Sequence, residues 1–331
     1  MMRNPFFVET MNQTVNLARN AMATRFEFIL NGDDEHQLRA AGEEALAEIE
    51  RLEGELGFYQ PGSEISSLNK RAAMEPFRVS PLLFELIETA ANYHQRTNRA
   101  FDITVAPLMK LWGLDGGSGR FPESDEVNAA IETVGMDLLQ LNAADRTVHF
   151  ARPGIMLDLG AIGKGFALDI AADWLREAGV ESALLHGGTS TIYAIGAPPG
   201  AAAWKVGLVR PESDAVGKRL TTIEDFAQLL RTVELRDNSL STSAVWGKSF
   251  IQDGKVFGHV IDPRTGWPVQ GAVMSAVVSR TATETDVLST ALLTLGEPGL
   301  ELLTTEFADF SGLVAIAGEN PTDYTVHSRG F

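Results

Sequence analysis

The chain has 331 residues, no cysteine, and 44 acidic against 27 basic side chains, giving a formal net charge of -17. This excludes disulfides, thiolate metal sites, thiol nucleophiles and cysteine-linked lipids, and it disfavours nucleic acid or an anionic membrane as the main partner. With 44% hydrophobic residues the chain can bury a full core, and no apolar run approaches the ~20 residues that span a bilayer.

The first 20 residues lack an apolar core and a small-residue cleavage site, so no signal peptide is read and a cytoplasmic location is expected. Their polarity predicts a mobile segment ahead of one domain over residues 21–331. Phe26, Phe28 and Leu30 alternate, which predicts a strand over 24–30. Leu38, Ala45, Ile49, Leu52 and Leu56 then recur at helical spacing up to a stop at Gly57.

A second helix is expected from Pro81, with Leu82, Leu83, Leu86, Ile87, Ala90 and Ala91 facing inward. The run from Asp115 to Arg120 reads as a glycine-rich loop. A third helix follows Gly165, where Phe166, Ile170 and Trp174 share a stripe with Ala167, Ala171 and Leu175, and Gly179 closes it. Strands are expected at 182–185, 205–209, 256–261 and 272–279, and a late helix carries Val287, Leu288, Ala291, Leu292 and Leu295. Strands and helices do not strictly alternate, which predicts an α+β fold rather than a doubly wound sheet.

Among 31 glycines, the run Asp158-Leu-Gly-Ala-Ile-Gly-Lys-Gly165 looks like a phosphate loop opening a helix. It is not a Walker A loop, because Asp158 stands where the first glycine belongs and Gly165 follows Lys164. Gly160, Gly163 and Gly165 do not fit GxGxxG either, and Gly247-Lys248-Ser249 fails because Thr242 replaces the loop glycine. Exposed amides at a helix N-terminus with Lys164 nearby still favour an anion. Locally, a tight turn with Lys164 in solvent explains the run better.

The strand ending in Gly258-His-Val-Ile-Asp-Pro-Arg-Thr-Gly266 puts His259 on the face of Phe257 and Ile261 and delivers it to a turn. An imidazole there can act as a general base, although a histidine in a strand is more often structural. Asp286 and Thr290 lie four apart on the late helix and share a face. Together they offer two hard oxygen donors suited to Mg²⁺; taken alone, Asp286 or Thr285 reads better as a helix cap. Asp102 and Tyr59 sit in turn-prone surroundings, where Tyr59 can stack on an aromatic ligand or simply pack at the surface.

In order along the chain, these segments closely resemble the ApbE family of FAD:protein FMN transferases. The matching pieces are Met22-Ala-Thr-Arg25, Tyr59-Gln-Pro-Gly-Ser-Glu-Ile-Ser-Ser-Leu-Asn69, Phe101-Asp-Ile-Thr-Val-Ala-Pro-Leu108 and Leu111-Trp-Gly113. They continue with Asp158 to Gly165, Gly187-Gly188, His259 to Gly266, and Asp286-Val-Leu-Ser-Thr290, so the likeness spans residues 22–296. It implies a T-fold-related α+β architecture of mixed sheets with packed helices. It also implies Mg²⁺-dependent transfer of FMN from FAD to a threonine hydroxyl of an acceptor protein, with release of AMP.

By the same resemblance, Asp286, Thr290 and the Ala161 carbonyl hold the metal. Met22, Tyr59, Ala100, Phe101, Asp102, Asp158, Lys164 and Ile261 contact FAD, and His259 matches the family's essential histidine. We assign His259 as the base that takes the threonine proton, with Asp262 orienting it or sharing that role. Hydrolysis of FAD to FMN and AMP, or FAD storage without turnover, are the alternatives.

The chain departs from the family pattern at three places. Met22-Ala23-Thr24 replaces Met-Gly-Thr. Thr189-Ser190-Thr191 intervenes between Gly188 and Ile192, where the family carries Asp or Asn. Thr242-Ser243-Ala244-Val245-Trp246 stands for Thr-Ser-Gly-Asp-Tyr at the expected acceptor entrance.

Overall fold

The computed structural model describes residues 12–58, 60–211, 229–246, 249–252, 255–319 and 323–331. Its centre is an eight-stranded sheet whose strands lie side by side in the order in which they occur in the chain. They are β1 (Gln13–Ala21), β2 (Thr24–Gly32), β3 (Ser182–Gly187), β4 (Thr191–Ile195), β5 (Asn238–Ala244), β6 (Ala272–Ser279), β7 (Ser311–Ala317) and β8 (Tyr324–Arg329). Every pairing within this sheet is antiparallel, which refines the expected mixed sheets and fits the α+β class.

β1 corrects the sequence reading. Residues 13–20 were expected in a mobile segment, yet they form an edge strand paired along its length with β2. Val15, Leu17 and Ala21 point into the core while Thr14, Asn16 and Ala18 face out, so the polar residues that suggested mobility are the outward half of an alternation.

The helices are α1 (Glu35–Leu56), α2 (Glu64–Arg71), α3 (Pro81–Arg96), α4 (Ala106–Leu111), α5 (Ser124–Ile131), α6 (Gly163–Glu177), α7 (Ala282–Leu295) and α8 (Pro298–Glu306). α1 starts where the Asp34 side chain accepts from the amides of His36 and Gln37, and it buries Leu38, Ala45, Ile49, Leu52 and Leu56 as the periodicity predicts. α3 starts at Ser80, whose hydroxyl accepts from the Leu83 amide just ahead of Pro81.

α6 begins at Gly163, three residues earlier than expected, and buries Ala167, Ala171 and Leu175. Trp174 is 45% exposed, so the predicted stripe is narrower than the sequence suggested. Gly179 closes the helix at φ +83°. No helix among the described residues is long and apolar enough to cross a membrane.

Both faces of the sheet are covered. Helices α1, α6 and α7 pack on one side around Phe26, Phe28, Leu168, Leu185 and Leu288. On the other side, a ribbon of residues Trp204–Val209 and Leu229–Leu235 lays Trp204, Leu208 and Leu235 over Leu240, Met274 and Leu313. Each fully buried side chain of this size contributes about 1.5–3 kcal/mol of transfer free energy. The sheet is therefore apolar through its whole thickness, and any polar group inside it needs a partner.

A third cluster gathers Trp112, Phe257, Trp267 and Leu108. Trp112 stacks on Phe257 with ring centres 5.8 Å apart and meets Trp267 edge-on at 5.1 Å, while its Nε1 donates to the Gly266 carbonyl at 2.9 Å. This anchors the turn that follows the strand Lys255–Gly258. The strand expected over 256–261 ends at Gly258, which packs so closely on the Val245 carbonyl that a Cβ there would overlap it. Beyond it, Ile261 pairs only with Pro268.

Candidate active site

The site is built where α6 and α7 meet. α7 starts at Thr281, whose hydroxyl accepts from the Glu284 amide. Asp169 of α6 takes the next amides, Ala282 at 2.7 Å and Thr283 at 2.8 Å. Neither Asp286 nor Thr285 is the cap, which corrects the local sequence reading. Asp286 stands a turn inside the helix and is buried. A carboxylate buried in a helix interior needs donors from elsewhere.

Those donors come from two other segments. Asp286 Oδ2 accepts from the Gly165 amide at 3.1 Å, and Oδ1 accepts from the Thr191 hydroxyl at 3.3 Å. Lys164 Nζ lies 3.6 Å from Oδ1 and donates to the Gly160 carbonyl at 3.0 Å. Lys164 is thus half-buried beside a carboxylate rather than free in solvent. The positive end of α6 does bind an anion; within this structure the anion is the Asp286 side chain. The approach needs Gly165, because a Cβ would overlap the Ala282 carbonyl.

Around Asp286 runs a seam of hydroxyls. Ser239, Ser241 and Ser243 alternate on the face of β5 turned to α7. Ser239 meets Thr285 at 2.8 Å, Ser241 meets Thr191 at 2.7 Å, and Ser243 lies 2.9 Å from Ser289 and 3.3 Å from Thr290. Thr290 also donates to the Asp286 carbonyl at 3.2 Å. Sequence reasoning named Thr191 and Ser243 only within departures from the family pattern and passed over Ser241; the serine alternation at 239, 241 and 243 is the signal that marks the β5 members of the seam.

The remaining expected residues fall into three groups. Asp158 accepts from the Gly160 amide at 2.8 Å and donates its own amide to the Ile103 carbonyl at 2.7 Å, which ties the glycine loop to the 100–107 segment. There Ala100 and Phe101 pack their side chains in the core. Asp102 accepts from the Thr104 amide at 2.7 Å and hydroxyl at 2.6 Å and faces buried His94 at 3.2 Å. Ala161 lies just before α6. Tyr59 lies outside the described residues.

Met22 occupies the two-residue turn between β1 and β2, with φ +50° at Met22 and +55° at Ala23. A cleft of about 370 Å³ opens beside it, lined by Asn20, Ala21, Ala23, Thr24 and Glu53. Thr24 packs on Gly188, where φ is +70° and a side chain would strike the Thr24 hydroxyl. The Met22 turn and the Gly187-Gly188 turn are thereby in contact.

His259 follows Gly258 and is partly buried. Gly258 packs on the Val245 carbonyl, two residues past Ser243, so His259 lies beyond the end of β5 that reaches Thr290. Ile261 is buried. Asp262 accepts from Arg264 three times, from the backbone amide at 2.9 Å, Nε at 2.8 Å and Nη2 at 2.7 Å. The structure thus brings Lys164 to the Asp286 carboxylate, sets Thr290 one turn further along α7 beside Ser243, and places His259 and Asp262 on a separate turn.

Comparisons with known proteins agree with this architecture. The ApbE family model matches residues 22–312. The FAD:protein FMN transferase of Klebsiella pneumoniae is 30% identical over 260 residues, 77% of this chain and 77% of that protein. That of Treponema pallidum is 30% identical over 291 residues, 84% and 77% of the two chains. The ApbE protein of Thermotoga maritima superposes with a TM-score of 0.84 at 24% identity, over 96% of this chain and 97% of that one. The flavin transferase ApbE from Vibrio cholerae gives 0.79 at 23%, over 97% and 98%. The relatives define an enzyme, a transferase. With the family model spanning most of its length, the chain belongs to the ApbE family.

Proposed function

We propose that the protein transfers the FMN half of FAD to a threonine hydroxyl of an acceptor protein in a Mg²⁺-dependent reaction, releasing AMP. The observation that carries this reading is the Lys164 ammonium beside the Asp286 carboxylate at the start of α6, with the Thr290 hydroxyl one turn further along α7. The relatives' name, FAD:protein FMN transferase, supports the substrate and the kind of acceptor.

Asp286, Thr290 and the Ala161 carbonyl are the groups that would hold the metal. They offer one carboxylate, one hydroxyl and one carbonyl, all hard oxygens, and no cluster of three His, Asp or Glu side chains exists among the described residues. This sparse set fits Mg²⁺, which keeps places for water and substrate phosphate. When bound, the ion supplies charge neutralisation at the pyrophosphate oxygens.

The chain's own groups do the rest. Lys164 adds a point charge for the phosphates. As the threonine Oγ–P bond forms, the pyrophosphate P–O bond breaks and AMP leaves with the bridging oxygen. The threonine proton passes to the His259 imidazole. Asp262, clamped by Arg264, steadies the turn that carries His259.

Incubation with FAD, Mg²⁺ and an acceptor domain, read by mass spectrometry, tests the proposal. The expected product is the acceptor with one added FMN, lost in His259→Ala. Free FMN and AMP alone would make the protein a hydrolase, and unchanged FAD retained on the protein would make it a flavin store.

A further inference from the structure

Thr191 is the first residue of β4 and directly opposes Ser241 in the β5 register. Both are fully buried. Their hydroxyl oxygens are 2.7 Å apart, and Thr191 Oγ1 donates to Asp286 Oδ1 at 3.3 Å. A hydroxyl has one proton. With the Thr191 proton directed to Asp286, the short contact is satisfied only if Ser241 donates to Thr191. Donation therefore runs from Ser241 to Thr191 to Asp286.

This chain anchors Oδ1, while the Gly165 amide anchors Oδ2 at 3.1 Å. Two donors on two oxygens, one from a strand and one from a helix backbone, fix the plane of the carboxylate. Lys164 cannot do this, since an ammonium on a flexible stem constrains distance more than direction.

We propose that Thr191, backed by Ser241, is a positioning residue that sets the Asp286 carboxylate for metal binding. The inference rests on the reading of Asp286 as a metal ligand. It also gives a role to the segment where this chain lacks the family's Asp or Asn. Partners that orient a metal ligand typically contribute 10–100-fold to metal affinity.

The test is Mn²⁺ uptake by the FAD-loaded protein without acceptor, followed by loss of the free-ion electron paramagnetic resonance signal, in wild type, Thr191→Val, Ser241→Ala and Thr191→Ser. Thr191→Val is expected to bind about 10–100-fold more weakly, Ser241→Ala to fall between, and Thr191→Ser to recover near-wild-type uptake. In transfer assays the metal concentration for half-maximal rate should rise in the same order, with kcat at saturating metal far less affected. If Thr191→Val took up Mn²⁺ as wild type does, the proposal would fall alone. If wild type took up none, the metal reading of Asp286 would fall and this inference with it. Thr191→Ser covers the case in which Thr191→Val fails to fold: weak uptake in a folded Thr191→Ser, whose hydroxyl is present, overturns the proposal.

Discussion

His94 Nδ1 stands 3.2 Å from Asp102 Oδ2, with both side chains buried and the same nitrogen 2.9 Å from the Phe101 carbonyl. Burial alone would depress the imidazole, but the Asp102 carboxylate and the Phe101 carbonyl outweigh it, and the His94 pKa is raised above its ordinary value. A folded pKa above the unfolded one gives stability that is complete below the unfolded value, about 6.5, and fades as pH rises through the folded value. His94→Gln should therefore cost about 1–3 kcal/mol in mildly acid buffer. The gap to wild type should narrow in alkaline buffer. Urea denaturation of both proteins across that range checks it, and a gap that widens with pH would refute the pairing.

Asp286→Asn keeps the shape of the side chain and removes its charge beside Lys164. Transfer of FMN should slow by about 10²–10³-fold, the scale of losing a group that manages charge in the transition state. The rate of acceptor labelling, followed by mass spectrometry at several Mg²⁺ concentrations, measures this. A variant with unchanged rate and unchanged metal dependence would rule out the proposed coordination.

Two glycine-to-alanine changes should act in opposite directions. At Gly165 the new methyl would collide with the Ala282 carbonyl, forcing α6 from α7 at a cost of about 1–3 kcal/mol and weakening metal uptake. Gly54 lies exposed in α1 with nothing within 4 Å of its would-be Cβ. There alanine should stabilise by about 0.5–1 kcal/mol. Melting temperatures of the two variants decide both claims.

The turn between β1 and β2 offers a stabilising change. Met22 and Ala23 both have positive φ, which costs a non-glycine residue about 1–2 kcal/mol. Ala23→Gly removes that strain and restores the residue that two-residue hairpin turns prefer, against about 0.4–1 kcal/mol of added freedom in the unfolded chain. Relief of strain wins narrowly, and a gain of up to about 1 kcal/mol is expected by chemical denaturation. A lower midpoint would show that this turn carries no such strain.

Much of the fold was legible because its signals are periodic. The Phe26, Phe28, Leu30 alternation, the α1 stripe and the bounds of β6 all follow from local spacing. Asp286 and Thr290 fall on one helical turn for the same reason. What was not legible is contact between distant segments. Gly165 reaches Asp286 across 121 positions and Thr191 reaches Ser241 across 50. A cap reading of Asp286 looks sound until Thr281 and Asp169 are seen to hold the α7 start. β1 was hidden by its outward Thr and Asn residues, and the close packing of Gly258 on the Val245 carbonyl joins segments that local composition does not connect.

The hydroxyl seam also decides how β5 aligns with its neighbours. Both faces of this strand are buried, Ser239 and Ser241 toward α7 and Leu240 toward the Trp204 ribbon. An all-apolar strand could slide by one residue and still bury its side chains. Here a slip would send Ser241 among Trp204 and Leu235 and bring Leu240 against Thr191 and Thr285. Each stranded hydroxyl would then cost about 1–3 kcal/mol. The same serines that surround Asp286 therefore act as a key for strand alignment, so a polar seam inside an apolar sheet gives the chain one alignment in place of several.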